Sequence, residues 1–212
     1  MYNVYLYLPD ALADWEIGHL TAELHSKRFF RADAPRVELR TLACSTRPVR
    51  TMGGLCIVPD GTIDALPIDR QTVLLLPGAG NEADYGAAIE TAARLLDVGG
   101  TVCAICGSTV ALANAGLLNH RPHTSNGAGF LETFCPAYKG QSFYVDAPSV
   151  SDGHLITAGA TGALPWARQI LERLDVFHPD TLTAWYDYFA TGEARHFFAL
   201  MQSLPSAHGN RP

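Results

Sequence analysis

The sequence predicts an α/β fold in which a mostly parallel sheet is covered by helices on both faces. Short apolar segments alternate along the chain with segments of helical periodicity, which is typical of doubly wound sheets. Residues 72–77 and 101–105 are continuously hydrophobic, as strands buried on both faces usually are. The segment "TVCAICGSTVALANAGLL" (101–118) passes from a strand pattern to a helix pattern without a linker. In such folds, functional groups lie at the carboxyl ends of the strands.

The first strand is predicted from Val4 to Leu8, and a helix follows it. Asp10 and Asp14 are both suitable N-caps for this helix, which is expected to run to about Phe30. Helical spacing places six residues on its buried side: Leu12, Trp15, Ile17, Leu20, Leu24 and His25.

The remaining elements follow from the same patterns. Further strands are predicted at 37–44, within 48–64 as a strand or hairpin, at 72–77, 101–105 and 123–126, and as a pair within 142–159. Further helices are predicted at about 82–98, 108–118, 162–174, 179–190 and 193–203. The tail, residues 205–212, is expected to be flexible.

Composition excludes several functional classes. A chain of 212 residues suffices for one substantial core. The formal net charge of −6, without a basic stripe, argues against nucleic-acid binding. The longest apolar runs span about six residues, whereas a membrane helix needs roughly 20. No signal peptide is visible, and five cysteines lack the spacing of a disulfide framework, so a reduced, cytoplasmic protein is predicted.

Cys106 and Gly107 stand at the corner between a strand and a helix. Such a turn holds its residue in a strained conformation above the sheet, and a small residue after it lets the turn close. Because the corner is also a helix N-terminus, the thiol pKa is expected to be lowered. The pattern therefore predicts a reactive cysteine at position 106.

The other cysteines are interpreted as packing residues. Cysteine is among the most buried residue types, and this interpretation covers Cys44, Cys56, Cys103 and Cys135. Cys103 and Cys106 form a C-x-x-C pair, but Cys103 lies inside the strand and points to the opposite face. A disulfide between them is not expected.

The segment "AICGSTVALANAGLLNHRPHTSN" resembles the elbow region of the ThiJ/PfpI superfamily, whose relatives include class I glutamine amidotransferases and the Parkinson-disease-associated protein deglycase. The resemblance extends to "DWEIGHL", "LLLPGAG" and "SDGHLITAGATGALPWARQILERL". It implies a flavodoxin-like three-layer α/β/α sandwich over residues 1–177, and "AWYDYFATGEARHFFALM" resembles the extra C-terminal helices of some bacterial members. Residues 178–204 are accordingly expected to pack on the same domain. Members usually form dimers, so a homodimer is expected here.

The resemblance also implies roles for individual residues. Glu16 matches the acid of the first helix that contacts the elbow cysteine, and a protonated carboxyl there could hold a thiolate or a sulfinate. The loop "PGAG" matches the oxyanion loop, so the backbone N–H groups of Ala79 and Gly107 are the candidate oxyanion donors. Asn126 is expected to orient a small-molecule substrate. No cofactor and no metal are predicted.

The same loop also fits a dinucleotide fingerprint. The six residues from Gly78 to Ala83 read G-x-G-x-x-A after a strand. However, the loop is not in the first β–α unit, and Asp97, about 20 residues on, lies in a helix rather than at a strand end. Nucleotide binding is therefore disfavoured.

Neither position at which related proteins carry a base holds a histidine. The residue after the elbow cysteine is Gly107, and the end of the following strand is Asn126. His123 is expected on the opposite face, and His120 in an exposed loop. His19 shares the helix face of Glu16 and is expected to be partly exposed. Efficient peptide hydrolysis is therefore doubtful.

Three functions stay open from the sequence. The first is a cysteine-dependent hydrolase, amidotransferase-like or glyoxalase-type enzyme. The second is a non-catalytic stress sensor whose Cys106 is oxidised to sulfenic or sulfinic acid. The third is a binding module with an idle elbow. The partner is thus a small-molecule substrate or an oxidant, and the pocket walls are expected to come from loops 45–70 and 127–141 and from a second subunit of the expected dimer.

Overall fold

The computed structural model describes residues 1–80 and 85–204. Its strands are Tyr2–Tyr7 (β1), Val37–Ala43 (β2), Val49–Arg50 (β3), Cys56–Ile57 (β4), Gly61–Thr62 (β5), Thr72–Leu76 (β6), Thr101–Ile105 (β7), Ser149–Ser151 (β8) and Leu155–Ala158 (β9). Its helices are Asp14–Ser26 (α1), Gly86–Asp97 (α2), Gly107–Asn114 (α3), Phe130–Phe134 (α4), Ala163–Leu174 (α5), Pro179–Thr191 (α6) and Ala194–Ser203 (α7).

One sheet of seven strands forms the centre of the molecule, in the order β5-β2-β1-β6-β7-β9-β8. Every pairing in it is parallel except the pairing of β8 with β9. Strands β3 and β4 form a separate antiparallel hairpin. Leu6 is in register with Leu75, and Leu76 with Ala104, so β1, β6 and β7 end at the same edge of the sheet. The segments that follow these three strands therefore meet.

Each central strand contributes alternately to two cores. In β6, Val73 and Leu75 belong to one cluster, while Leu74 and Leu76 belong to the other. The first core receives the buried faces of α1, α5, α6 and α7, and the second those of α2, α3 and α4. All five residues of β6 and of β7 are buried, because helices cover both faces of these strands. The predicted flavodoxin-like three-layer α/β/α fold is confirmed.

Helix α1 differs from its prediction at both ends. It begins at Asp14 without a side-chain cap, and Asp10 instead accepts the Arg50 N–H at 3.3 Å. The helix ends at Ser26 because Lys27 adopts φ 55°, so it does not reach Phe30.

The buried face of α1 also differs, and it consists of Glu16, Leu20, Glu23 and Leu24. Trp15 is 54% exposed and His25 is exposed, so placing these two residues on the buried side was wrong. A helix that turns Glu16 inward rotates its neighbour Trp15 outward.

Several other boundaries depart from expectation. Helix α3 ends at Asn114 rather than 118, because a turn follows in which Gly116 has φ +73°. Residues 123–126 form no strand; His123 makes a single bridge to Tyr144. Helix α4 was not predicted. The predicted start of α2 at Glu82 and the tail 205–212 lie outside the described residues.

In the described part of the chain, no helix is both long enough and apolar enough to cross a bilayer.

Candidate active site around Cys106

Cys106 occupies the corner between β7 and α3 in a conformation that L-residues rarely adopt. Its φ is 60° and its ψ is −125°. The corner is held by backbone bonds: the Cys106 N–H donates to the Ala158 carbonyl at 2.9 Å, and the Cys106 carbonyl accepts the Thr109 N–H at 3.1 Å. The buried Ser108 hydroxyl accepts the Ile105 N–H at 3.0 Å and lies 2.7 Å from the Leu76 carbonyl oxygen. These hydrogen bonds hold Cys106 in its strained backbone conformation.

Glu16 reaches this corner from α1 and is fully buried. Its Oε2 accepts the Gly78 N–H at 2.6 Å, while its Oε1 has no hydrogen-bond partner among the described residues. A Cβ built on Gly78 would lie 3.1 Å from both Cys106 Sγ and Glu16 Oε1. The sulfur and the unpartnered oxygen therefore border the same small space beside Gly78, and each group influences the pKa of the other.

Burial dominates the ionisation of both groups. It raises the pKa of Glu16 from 4.5 to about 7, although the Gly78 N–H opposes this rise. Burial and, after it, the neighbouring Glu16 charge together raise the pKa of Cys106 from 9.0 to about 11. The Asn126 amide and the Gly107 N–H lower the Cys106 pKa, but by less than burial raises it.

The lowered thiol pKa expected from the helix N-terminus is therefore wrong. Desolvation and a carboxylate neighbour outweigh the helix contribution. Burial therefore favours the neutral form of both groups, and the charge on one of them disfavours a charge on the other.

Asn126 also contacts the sulfur. Its Nδ2 lies 3.6 Å from Cys106 Sγ, and its Oδ1 accepts the Ala160 N–H at 2.8 Å. Because the Ala160 N–H requires an acceptor, the amide oxygen faces Ala160 and the amide NH₂ faces the sulfur. Asn126 itself is exposed, so a ligand could contact it.

The two predicted oxyanion donors are also brought together. A Cβ built on Gly107 would lie 3.9 Å from the Ala79 nitrogen. The Ala79 N–H donates to no described residue. The loop is held against the start of α1, where Ala13 N–H donates to the Gly78 carbonyl at 2.9 Å. The structure thus places Glu16, Ala79, Cys106, Gly107 and Asn126 around one point.

The histidines lie elsewhere. His19 packs edge-on against Phe189, with ring centroids 5.1 Å apart, and is partly buried. His123 is fully buried, with Nε2 2.6 Å from the Tyr138 hydroxyl, and His120 is exposed. No described histidine hydrogen-bonds to Cys106 or to Glu16.

The remaining cysteines divide into two kinds. Cys103 and Cys135 are buried as predicted, and burial raises the pKa of Cys103 well above its usual range. Cys44 and Cys56 are exposed, so interpreting them as packing residues was wrong. They lie at the end of β2 and in the β3–β4 hairpin, where the helical layers do not cover them.

Sequence reasoning missed two features of the site. It assigned the "PGAG" loop to oxyanion binding and overlooked Gly78 as the anchor of Glu16; a glycine directly after a buried strand was the available signal. It also missed the segments 146–148 and 159–161, which border Asn126. Their approach depends on long-range contacts that no local pattern reveals.

The structure gives limited grounds for a cofactor or metal. Within residues 1–80 and 85–204, no three His, Cys, Asp or Glu side chains cluster as metal ligands would. The dinucleotide fingerprint falls partly on residues 81–83, which lie outside the described residues. Its first N–H, that of Gly78, is already bound to Glu16.

Comparison with known proteins gives consistent matches over nearly the whole chain. "Uncharacterized protease YoaZ" of Bacillus subtilis (strain 168) is 40% identical over 204 residues, which cover 95% of this chain and 97% of the relative. The solved structure of a thiJ/pfpI family protein from Bacillus anthracis is 38% identical, has a TM-score of 0.92, and is matched over 96% of this chain and 98% of that one.

A second solved structure, that of DJ-1 superfamily protein Atu0886 from Agrobacterium tumefaciens, is 31% identical with a TM-score of 0.78. The match covers 91% of this chain and 99% of that one. The model of the DJ-1/PfpI family matches residues 2–173. The chain therefore belongs to the DJ-1/PfpI family.

Proposed function

We propose that the protein is an enzyme in which Cys106 attacks small carbonyl electrophiles and Glu16 carries the proton. The observation that carries this proposal is the fully buried Glu16, whose unpartnered Oε1 borders the same space beside Gly78 as the Cys106 sulfur. A carboxyl group with a pKa of about 7 exchanges protons readily near neutral pH. Glu16 can therefore take the place of the absent histidine.

The proposed reaction begins with a thiol and an ionised Glu16. As the sulfur bonds to the carbonyl carbon, the thiol proton passes to Glu16 and the carbonyl π electrons move to oxygen. The backbone N–H groups of Ala79 and Gly107 receive this oxyanion, and the Asn126 amide orients the substrate. With an ester, the oxyanion collapses, Glu16 protonates the departing alcohol, and a thioester to Cys106 remains. With a 2-oxoaldehyde, the oxyanion is protonated, and Glu16 then moves the proton of the former aldehyde carbon to the neighbouring carbon, which also gives a thioester. Water attacks either thioester, Glu16 transfers a proton from the water to the departing sulfur, and a carboxylic acid leaves.

This arrangement favours activated carbonyl compounds over peptides. Glu16 is the one titratable side chain, among the described residues, that contributes to the pKa of Cys106. A peptide amine is a poor leaving group and needs a well-placed acid of its own, as the histidine of cysteine proteases provides. An aldehyde has no leaving group, and the alcohol of an activated ester leaves without strong acid assistance. Aldehydes and activated esters are therefore the proposed substrate class.

The raised thiol pKa weighs against the alternative of a peroxide sensor. Peroxide oxidises the thiolate, and little thiolate is present at neutral pH when the thiol pKa is about 11. An enzyme with a neighbouring base forms its nucleophile during attack and needs no resting thiolate. The enzyme proposal therefore fits the site better.

Turnover of a 2-oxoaldehyde and of an activated ester tests the proposal. Cys106→Ala should abolish activity, whereas Cys44→Ala, a change of an exposed cysteine, should preserve it. Glu16→Gln should lower kcat/KM by about 10²- to 10⁴-fold, the usual contribution of a general base. The wild-type kcat/KM should rise with pH through about 7 as Glu16 ionises, and this rise should vanish in Glu16→Gln. Undiminished turnover by Cys106→Ala would refute the proposal.

We also propose that the protein is a homodimer. In the β3–β4 hairpin and directly after it, Met52, Leu55 and Val58 are 50%, 62% and 67% exposed, and Trp15 is 54% exposed. The hairpin is bound to the start of α1, because Gly53 N–H donates to Asp14 at 2.6 Å, so these side chains share one region of the surface. Light scattering should give twice the monomer mass of 22.9 kDa, and Leu55→Lys should reduce it to the monomer mass.

A further inference from the structure

A cavity lies beside Asn126, next to the place where this residue contacts the Cys106 sulfur. It has a volume of about 340 Å³ and is lined by residues 125–127, 146–148 and 159–161. Asn126 belongs to both places, since its Nδ2 lies 3.6 Å from Cys106 Sγ while its Oδ1 is bound to Ala160 in the cavity wall. A ligand in the cavity would therefore lie next to the group that contacts the sulfur.

The cavity walls are rigid because their backbones touch. A Cβ on Gly159 would lie 2.7 Å from the Ser125 carbonyl oxygen, and one on Gly162 would lie 2.1 Å from that of Pro148. Neither glycine has a positive φ, so their smallness serves close approach rather than an unusual turn. The Thr124 hydroxyl also donates to the Ala147 carbonyl at 2.8 Å, which links two of the three segments. The cavity is thus formed before any ligand arrives.

Asp146 gives this cavity its charge. It is the one charged residue among those that line it, and the lining side chains of Ser125, Asn126 and Thr161 are neutral and polar. Asp146 is exposed and forms no ion pair within the described residues. An unpaired carboxylate in a polar cavity favours a cation, and the volume is at the lower end of the range for small ligands.

We propose that the cavity binds the cationic end of the substrate whose carbonyl group reacts at Cys106, with Asp146 as the specificity-determining residue. The substrate class is then a small carbonyl compound that carries an ammonium group. This inference rests on the proposed function of Cys106, and it further specifies that the substrate carries a positive charge.

Methanethiosulfonate reagents of matched reactivity test the proposal without turnover. In each case Cys106 loses its proton, its sulfur bonds to the reagent sulfur that carries the variable group, the bond from that sulfur to the sulfonyl group breaks, and methanesulfinate leaves, which gives a mixed disulfide. The reagents carry a 2-aminoethyl, a methyl or a 2-sulfonatoethyl group and are thus cationic, neutral and anionic. Mass spectrometry of the Cys106 peptide over time gives the rate for each reagent, and ratios to the neutral reagent cancel any general change in the reactivity of the thiol.

Asp146→Asn should lower the ratio of the cationic to the neutral labelling rate by about three- to fivefold, as expected for the loss of one partly screened charge. It should raise the ratio of the anionic to the neutral labelling rate by about the same factor. Asp146→Glu should preserve both ratios. The matched control Asp64→Asn, which removes an exposed carboxylate near β5 at the far edge of the sheet, should leave both ratios unchanged.

Equal ratios in the wild type and Asp146→Asn would overturn the cavity assignment, and so would an equal shift in Asp64→Asn. Failure of the proposed function is distinguishable, because it would appear as turnover that survives Cys106→Ala. The labelling ratios do not depend on that turnover.

Discussion

The buried carboxyl group of Glu16 should make the stability of the fold depend on pH over a defined interval. Its pKa is 4.5 in an ordinary setting and about 7 in the folded protein. Between these values the folded state binds more protons than the unfolded state, so stability falls as pH rises. At about 1.4 kcal/mol per tenfold change in proton affinity, the loss amounts to about 3 kcal/mol of unfolding free energy.

Glu16→Gln removes this titration while keeping the shape of the side chain. The amide oxygen of glutamine can still accept the Gly78 N–H that now binds Oε2. Relative to the wild type, the variant should therefore gain about 3 kcal/mol in unfolding free energy between about pH 4.5 and pH 8. Below the lower limit both side chains are neutral, and the difference should stay constant.

Urea denaturation at several pH values and one fixed protein concentration measures this difference. Glu172→Gln, an exposed change in α5, is the matched control and should shift stability by no more than about 0.5 kcal/mol. Parallel stability profiles for the wild type and Glu16→Gln across this interval would show that the Glu16 carboxyl is not held in a desolvated site.

Three further outcomes are expected. Gly78→Ala would place a Cβ 2.9 Å from the Cys106 Cβ and 3.1 Å from Glu16 Oε1, closer than such atoms normally pack. It should therefore lower kcat/KM, and it should lower the unfolding free energy measured in urea titrations by about 1–3 kcal/mol. Ser108→Ala would leave the buried Ile105 N–H without an acceptor and should cost about 1–3 kcal/mol in the same titrations; an unchanged midpoint would contradict this. Cys106→Gly should be more stable than Cys106→Ala by about 1–3 kcal/mol, because only glycine adopts φ 60° and ψ −125° without strain; equal thermal midpoints would disprove strain at the corner.

The sequence determined the features of this protein that depend on neighbouring residues. The continuous apolar runs of β6 and β7 predicted strands buried on both faces, because such runs are stable only under two helical layers. The abrupt change at Cys106 predicted a corner, since no linker separates the strand pattern from the helix pattern. Four of the five predicted site residues, Glu16, Ala79, Cys106 and Gly107, follow β1, β6 and β7, and these strands end at one edge of the sheet. The fifth, Asn126, follows α3.

Only the tertiary structure decided the properties that depend on burial and on distant contacts. Glu16 and Gly78 are 62 positions apart, and neither the bond between them nor the raised pKa of Glu16 has a local signal. The pKa of the Cys106 thiol also depends on tertiary structure. The helix N-terminus is visible in the sequence and predicted a lowered pKa, whereas the burial that raises the pKa is not visible there. The outward turn of Trp15 is likewise fixed by the packing of α1, because burial is set by the rotation of the whole helix against the sheet.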